Sequence, residues 1–130
     1  MKKSDLYEKG MKIRREMYGD EALEQANREV YNNPIMRKFA DLATETVFGG
    51  VWGREGLDYK TRALICVVSD VATGRENELA LHLNFAKRQG WTEDELVEAI
   101  LHLSGYVGVP LVRGALMVAA EVFESSSAPE

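Results

Sequence analysis

Signals that start and stop α-helices recur along the whole sequence, and they constrain the fold more than any other feature. Apolar residues repeat at helical spacing between these signals, and no segment has a persuasive strand pattern. The predicted N-terminal capping residues are Ser4, Asp20, Asn33 (followed by Pro34), Asp58 and Thr92 (with Glu95 completing a capping box). Seven helices are predicted, over residues 5–18, 20–31, 34–46, 59–73, 75–89, 93–106 and 110–124.

The helix predicted over residues 59–73 is apolar around most of its circumference, which is typical of a helix at the centre of a fold. Gly74 ends this helix and the next one follows at once, so the two are expected to form an antiparallel pair. The segment 48–56 has four glycines in nine residues and is predicted to be a loop. The sequence therefore predicts an all-α bundle of about six to seven helices around a central antiparallel pair.

The length and charge of the chain limit its organisation and its partners. A chain of 130 residues fits a single domain, here residues 1–124, and residues 125–130 are expected to form a flexible tail. The net charge of −5 argues against binding to nucleic acid or to an anionic membrane surface. There is no long apolar run, no apolar leader and only one cysteine, Cys66, so a cytoplasmic protein without disulfides is expected.

Two histidines, His82 and His102, are the candidate acid–base residues. Each follows a glutamate by four residues, Glu78 and Glu98, so each imidazole has a carboxylate on the same helix face. Such a carboxylate can hold the ring in one tautomer, but the pair can equally be a helix-stabilising contact. The spacing alone does not choose between the histidines. No metal site is predicted, because no paired cysteines or closely spaced histidine ligands are present.

Arginines are the other chemical resource of the chain. A site for a small dicarboxylate would need one or two of them, because a guanidinium group binds a carboxylate through two parallel hydrogen bonds. Each arginine can instead be a solvated or paired surface residue. The candidates near the glycine-rich segment, the central helices and the first helix are Arg54, Arg62, Arg75, Arg14 and Arg15.

Five short motifs, in their order along the chain, resemble the carboxymuconolactone decarboxylase family, whose fold is shared with alkyl hydroperoxidase D. The similarity covers about residues 5–122 and implies a helical protomer that assembles into homotrimers or homohexamers. The motifs lie at residues 50–58 (GVWGREGLD), 61–65 (TRALI), 74–82 (GRENELALH), 90–96 (GWTEDEL) and 106–110 (YVGVP).

The resemblance also separates two branches of this fold. The peroxidase branch uses a Cys-x-x-Cys pair, but Arg75 and Glu78 stand at the matching positions, and Ala63 replaces the relay glutamate. The E-L-x-x-H pattern instead resembles the decarboxylase branch and favours His82 over His102. Glu55 stands where family decarboxylases commonly have proline, which leaves the exact substrate open.

By this resemblance, the chain is expected to be a cofactor-independent decarboxylase that converts 4-carboxymuconolactone to 3-oxoadipate enol-lactone in aromatic-acid catabolism. His82, oriented by Glu78, is expected to donate the proton. The expected substrate-binding residues are Arg62 or Arg54 for a carboxylate, Trp52 and Tyr106 as apolar walls, and Arg14 or Arg15 to complete the site from the same or a neighbouring subunit. Plain packing is an equal alternative for Trp52 and Tyr106, and Tyr106 could instead donate to the carbonyl oxygen. The alternative functions are decarboxylation of a different acid and non-catalytic binding of a small ligand by a helical oligomer.

Overall fold

The computed structural model describes residues 3–127, and all regular secondary structure in that range is helical. This confirms the predicted all-α class, with seven α-helices among the described residues. None of the described helices is both long enough and apolar enough to cross a membrane. The elements are α1 (Asp5–Tyr18), α2 (Asp20–Glu29), α3 (Pro34–Ala43), a π-helical segment (Thr44–Val51), α4 (Tyr59–Thr73), α5 (Glu76–Arg88), α6 (Glu93–His102), a 3-10 turn (Leu103–Gly105) and α7 (Val109–Ser127).

Four of the five predicted N-caps are observed. The side chains of Ser4, Asn33, Asp58 and Thr92 each accept a hydrogen bond from a backbone N–H in the first turn of their helix. The capping box at α6 is complete, because the Thr92 backbone N–H also donates to the Glu95 carboxylate at 2.9 Å. The prediction for Asp20 was wrong: Asp20 is the first residue of α2, and Gly19 holds the cap position.

The glycine-rich segment is not a loop throughout. Residues 48–51 continue the helix that begins at Pro34, but in π-helical form, with the Trp52 N–H bonded to the carbonyl of Val47. The sequence predicts that the glycines interrupt the helix, yet Gly49 is buried inside the helical segment, where its missing side chain lets another backbone approach closely. Only the part from Trp52 onwards is non-helical before α4 begins.

The chain forms two compact units, with the boundary between Leu57 and Asp58. In the first unit, α1 packs against the π-helical segment at very short range. A Cβ atom on Gly10 would lie 1.9 Å from the carbonyl oxygen of Thr44, and one on Gly49 would lie 2.3 Å from that of Leu6. Glycine at both positions therefore allows the two backbones to touch directly. The single-domain assignment for residues 1–124 stays a prediction.

The second unit is built on the α4–α5 hairpin. Gly74 makes the turn in the left-handed region, at φ 70°, and the Arg75 N–H bonds back to the carbonyl of Asp70. The indole N–H of Trp91, just after α5, donates to the carbonyl of Lys60 at the start of α4, so the two helices run antiparallel as predicted. Helix α7 packs against α4, α5 and α6. The buried apolar residues of this unit are Ala63, Val67, Val71, Leu79, Leu83, Phe85, Ala86, Leu96, Ile100, Val112, Ala115, Ala119 and Phe123.

Some helix ends differ from the predicted ones. Helix α6 was predicted to reach Tyr106. It ends at His102 instead and is followed by a 3-10 turn. Helix α7 continues to Ser127 instead of ending near residue 124. The rest of the predicted flexible tail, residues 128–130, lies outside the described residues.

Candidate active site

The hairpin brings one histidine and one carboxylate together. The imidazole Nδ1 of His82, on α5, lies 2.5 Å from the carboxylate Oδ2 of Asp70, on α4. The Asp70 side chain is 7% exposed and that of His82 is 22% exposed. The contact is therefore shielded from water on the Asp70 side, while the imidazole remains partly accessible.

The hydrogen bond to Asp70 determines which ring nitrogen is available for chemistry. Because Nδ1 is engaged, Nε2 is the nitrogen of His82 that remains to give or take a proton. The ring of Phe85 meets the imidazole edge to face, with centroids 5.4 Å apart. Asp70 and Phe85 together restrict the orientation of the His82 ring.

Burial raises the pKa of the Asp70 carboxyl, and nearby charges modify the shift. The hydrogen bond from His82 and its charge act in the opposite direction, Glu78 raises the pKa further, and Arg75 lowers it slightly. A carboxyl group that is partly desolvated and bonded to a histidine on a neighbouring helix is typical of functional sites. The pair therefore has the construction of an acid–base centre.

The predicted orienting carboxylate is corrected by this geometry. The sequence analysis assigned the carboxylate beside His82 to Glu78 on the same helix, but Asp70 occupies that place and Glu78 is solvent-exposed. Asp70 on the facing helix α4 contacts the half-buried imidazole, whereas Glu78, on the same helix as His82, extends into water. One sequence signal could have found Asp70: it is the only carboxylate in the apolar helix 59–73.

Cys66 lies one turn before Asp70 and is not a reactive thiol. Burial, with a smaller contribution from the Asp70 charge, raises the pKa of Cys66 to about 11. The thiolate is therefore scarce at neutral pH. Among residues 3–127, no three histidine, cysteine or acidic side chains cluster in a way that could hold a metal ion.

The second histidine has a different environment. His102 is exposed at the end of α6, and its ring lies against that of Tyr106, with centroids 5.1 Å apart. Tyr106 is itself 76% exposed. The structure thus distinguishes two histidines that the spacing did not, and it places Tyr106 beside His102.

The remaining predicted residues of the glycine-rich segment and α4 have separate positions. Trp52 is buried and its ring lies 6.0 Å from that of Phe48, centroid to centroid. Arg54 is exposed, whereas Arg62, in the first turn of α4, is half-buried. Of these, Arg62 shares helix α4 with Asp70, two turns away along the chain.

The two adjacent arginines of α1 differ sharply. Arg15 is exposed and forms an ion pair with Asp20 at 3.2 Å. Arg14 is only 5% exposed, and its guanidinium carbon lies 5.1 Å from the ring centre of Tyr18 and 5.0 Å from that of Tyr31. The sequence alone predicts either arginine for the same role and does not distinguish them.

Comparison with known proteins identifies the family of this chain. Residues 37–121 match the Carboxymuconolactone decarboxylase family. The match covers more than half of the chain, and a relative named below is similar over almost its entire length. The chain belongs to the carboxymuconolactone decarboxylase family.

Three relatives show the range of the similarity. The chain is 38% identical over 126 residues to 4-carboxymuconolactone decarboxylase of Acinetobacter baylyi, covering 95% of this chain and 92% of that one. It is 37% identical over 113 residues to nitrosuccinic acid decarboxylase of Metarhizium robertsii, covering 87% and 78%. It is also 35% identical over 81 residues to an uncharacterized 15.0 kDa protein of Paracoccus denitrificans, covering 61% and 60%.

Proposed function

We propose that this protein is a cofactor-independent decarboxylase in which His82, positioned by Asp70, delivers a proton to carbon. Membership of the family and two relatives named as decarboxylases support carboxy-lyase activity. The observation that carries the assignment of the residues is the 2.5 Å contact between a buried carboxylate and a partly exposed histidine. The first substrate candidate is 4-carboxymuconolactone, the acid named in one relative.

The chemistry of this substrate explains why no cofactor is needed. The leaving carboxylate is attached to a ring carbon that is conjugated through a double bond to the lactone carbonyl. When the bond to the carboxyl carbon breaks, CO2 leaves and the electron pair moves through the double bond to the carbonyl oxygen. Protonation of the ring carbon next to the carbonyl then gives 3-oxoadipate enol-lactone. The protein has to bind the acid, stabilise the dienolate and supply one proton.

The second relative supports a second candidate with related chemistry. In nitrosuccinic acid, loss of CO2 from the carbon that bears the nitro group leaves an electron pair that the nitro group accepts. A proton must again be added to carbon. The two relatives are almost equally similar to this chain, at 38% and 37% identity, so overall similarity does not select one acid. Both acids have two carboxylates. Both reactions therefore require the protein to place a proton donor beside an anion-binding site.

His82 and Asp70 are suited to that demand. As an imidazolium, His82 keeps Nδ1–H bonded to the Asp70 carboxylate and has Nε2–H left to donate. The carboxylate stabilises the positive ring before the proton leaves, and it prevents rotation afterwards. Asp70 is a positioning residue in this proposal, because it contacts the proton donor His82 and not the substrate.

The other predicted site residues keep proposed roles. We assign the substrate carboxylate to an arginine, with Arg62 and Arg54 as candidates on the basis of the family resemblance. Trp52 and Tyr106 remain proposed apolar walls, and Glu78 a proposed modulator of the Asp70 charge. The arginine, Trp52 and Tyr106 roles have the same test, which is the loss of substrate affinity in a single variant.

The protein is proposed to work as a homo-oligomer, in line with the trimer or hexamer implied by the family resemblance. The support is an apolar stripe on α3, where Ile35, Phe39 and Leu42 are 78%, 54% and 62% exposed. Large apolar side chains at helical spacing rarely face water in a monomer. Sedimentation velocity of wild type and of Phe39→Lys tests this: a trimer or hexamer that dissociates in the variant supports the assignment, and a monomeric wild type contradicts it.

The decisive experiment measures CO2 release from 4-carboxymuconolactone and from nitrosuccinic acid by wild type, His82→Ala and His102→Ala. We expect turnover of at least one acid by wild type and its collapse in His82→Ala. His102→Ala is the matched control, because His102 also lies on a helix but is exposed, and Asp70 bonds to His82 instead. Equal loss in both variants, or none in His82→Ala, would contradict the role of His82. A folded wild type that is inactive on both acids would favour a different acid or a binding function.

A further inference from the structure

Arg75, at the turn of the α4–α5 hairpin, is a cation near the His82–Asp70 pair that the proposed proton transfer does not use. Its backbone N–H donates to the carbonyl oxygen of Asp70 at 2.9 Å, which holds Arg75 against the end of α4. Arg75 precedes His82 by seven residues, which is two helical turns, so both residues start from the same side of α5. The hairpin therefore places a guanidinium group on the side of α5 that carries the proposed proton donor.

The charge of Arg75 acts on the carboxylate that bonds to His82. Burial raises the pKa of the Asp70 carboxyl, and the positive charges of His82 and Arg75 oppose that rise. Charges that are exposed to water are largely screened from one another beyond about 10 Å. Arg75, Asp70 and His82 therefore form one local group of charges.

The guanidinium of Arg75 is accessible and is not paired within the described chain. Arg75 is exposed, and its side chain has no ion pair or hydrogen bond with any of residues 3–127. Glu76 instead faces α7, with its Oε2 3.4 Å from the position that a Cβ atom on Gly114 would take. Glu78 is exposed and forms no ion pair with Arg75. An arginine in this state can bind the carboxylate of a ligand through two parallel hydrogen bonds.

The two candidate acids share one carboxylate that an arginine can hold throughout the reaction. In both acids, the carbon that loses CO2 also carries a –CH2–COO− arm, so each acid is a substituted succinate. The arm remains in the product. An arginine on the leaving carboxylate would stabilise the ground state more than the transition state, because the departing CO2 is neutral, whereas an arginine on the arm keeps its partner.

We propose that Arg75 binds the carboxylate of this retained arm and thereby selects substituted succinates as substrates. The accessible position of Arg75 lets the arm reach the guanidinium directly. The choice of the arm rests on the function proposed above, whereas the availability of the cation rests on the geometry of the hairpin. Arg54 and Arg62, the candidates from the family resemblance, already interact with other groups of the chain.

Equilibrium binding of succinate and of succinamate tests this proposal. Succinamate has the same carbon skeleton, but an amide replaces one carboxylate, so the difference in affinity measures what the second carboxylate contributes. Calorimetric titrations compare wild type with Arg75→Met, Arg75→Lys, Arg62→Met and Arg113→Met. Arg113→Met is the matched control, because Arg113 is an exposed arginine of the same unit and is not among the charges that act on Asp70.

Wild type and Arg113→Met should bind succinate about ten- to a hundredfold more tightly than succinamate. In Arg75→Met this ratio should fall to about one or two, and Arg75→Lys should give an intermediate ratio because lysine keeps the charge without the planar fork. A wild-type ratio near one, or an unchanged ratio in Arg75→Met, would overturn the proposal. A ratio lost in Arg62→Met and kept in Arg75→Met would assign the arm to Arg62 instead.

Steady-state CO2 release adds a readout that a merely structural role of Arg75 would not reproduce. Because the arm is bound equally in the ground state and the transition state, Arg75→Met should raise KM about ten- to a hundredfold and leave kcat within about threefold. A lower kcat with unchanged KM would contradict the proposal. The titrations do not depend on turnover. Binding that depends on Arg75 in a protein without activity would reject the decarboxylase assignment alone, and binding independent of Arg75 in an active enzyme would reject this proposal alone.

Discussion

Replacing Asp70 by asparagine is the most informative single perturbation of the proposed proton donor. Asparagine keeps the size of the side chain and can still accept a hydrogen bond from Nδ1 of His82, but it removes the negative charge at 2.5 Å. A hydrogen bond to a charged group contributes about 1.5–3 kcal/mol, against about 1 kcal/mol for a neutral one. Because the Asp70 side chain is only 7% exposed, water cannot replace the lost charge.

The expected consequence is a fall in kcat of about tenfold in Asp70→Asn and of about a hundredfold in Asp70→Ala, since alanine removes the acceptor as well. KM should stay within about twofold, because Asp70 does not contact the substrate in this proposal. Glu98→Gln is the matched control: Glu98 is also an acidic residue that precedes a histidine by four positions, but that histidine is His102.

Steady-state rates of CO2 release on the preferred acid, with the fold checked by circular dichroism, are the measurement. A kcat in Asp70→Asn equal to that of wild type would refute the reasoning. If kcat collapsed in Glu78→Gln at the same time, Glu78 would be the orienting carboxylate, as its position four residues before His82 suggested.

Three further predictions concern stability and reactivity. Burial raises the folded-state pKa of Asp70 above its unfolded-state value, so the wild type loses stability as the pH rises from the unfolded value towards the folded one. Urea unfolding should therefore show Asp70→Asn gaining stability relative to wild type as the pH rises above about 4, and a pH-independent difference contradicts this. Gly10→Ala should lower the free energy of unfolding by about 3 kcal/mol or more, because the new Cβ would collide with the Thr44 carbonyl, and this outweighs a helix-propensity gain of about 1 kcal/mol. Gly56→Ala is the control and should change the free energy of unfolding little, because the space around Gly56 is open. Cys66 should react with iodoacetamide only slowly at neutral pH, with a rate that rises towards about pH 11, and fast labelling of the folded protein would refute its protected state.

Most of the fold could be predicted because its determinants are local. The caps at Ser4, Asn33, Asp58 and Thr92 each act within one turn, and α4 begins and ends where its cap and Gly74 indicated. The π-helical segment could not be predicted by the same rules. Gly49 is required by the close approach of α1, a tertiary contact that does not alter the local pattern.

The candidate site was predictable only in part, for the same reason. His82 was chosen from a motif, but its partner lies on another helix, 12 positions away in the chain, and pairing between helices is not encoded in spacing along one of them. The burial of Arg14 could have been predicted from the sequence more directly. It shares the buried face of α1 with Gly10, Ile13 and Met17, at helical spacing, whereas Arg15 does not.

The contact between α1 and the π-helical segment has a consequence for how the sequence can change. In an ordinary core, a larger side chain on one helix can be accommodated by a smaller one opposite. At Gly10 and Gly49 the opposing groups are the backbone carbonyls of Thr44 and Leu6, which no substitution can shrink. A mutation at either glycine therefore has no compensating partner elsewhere in the contact. We therefore expect both positions to remain glycine as the sequence evolves, although neither residue has a side chain.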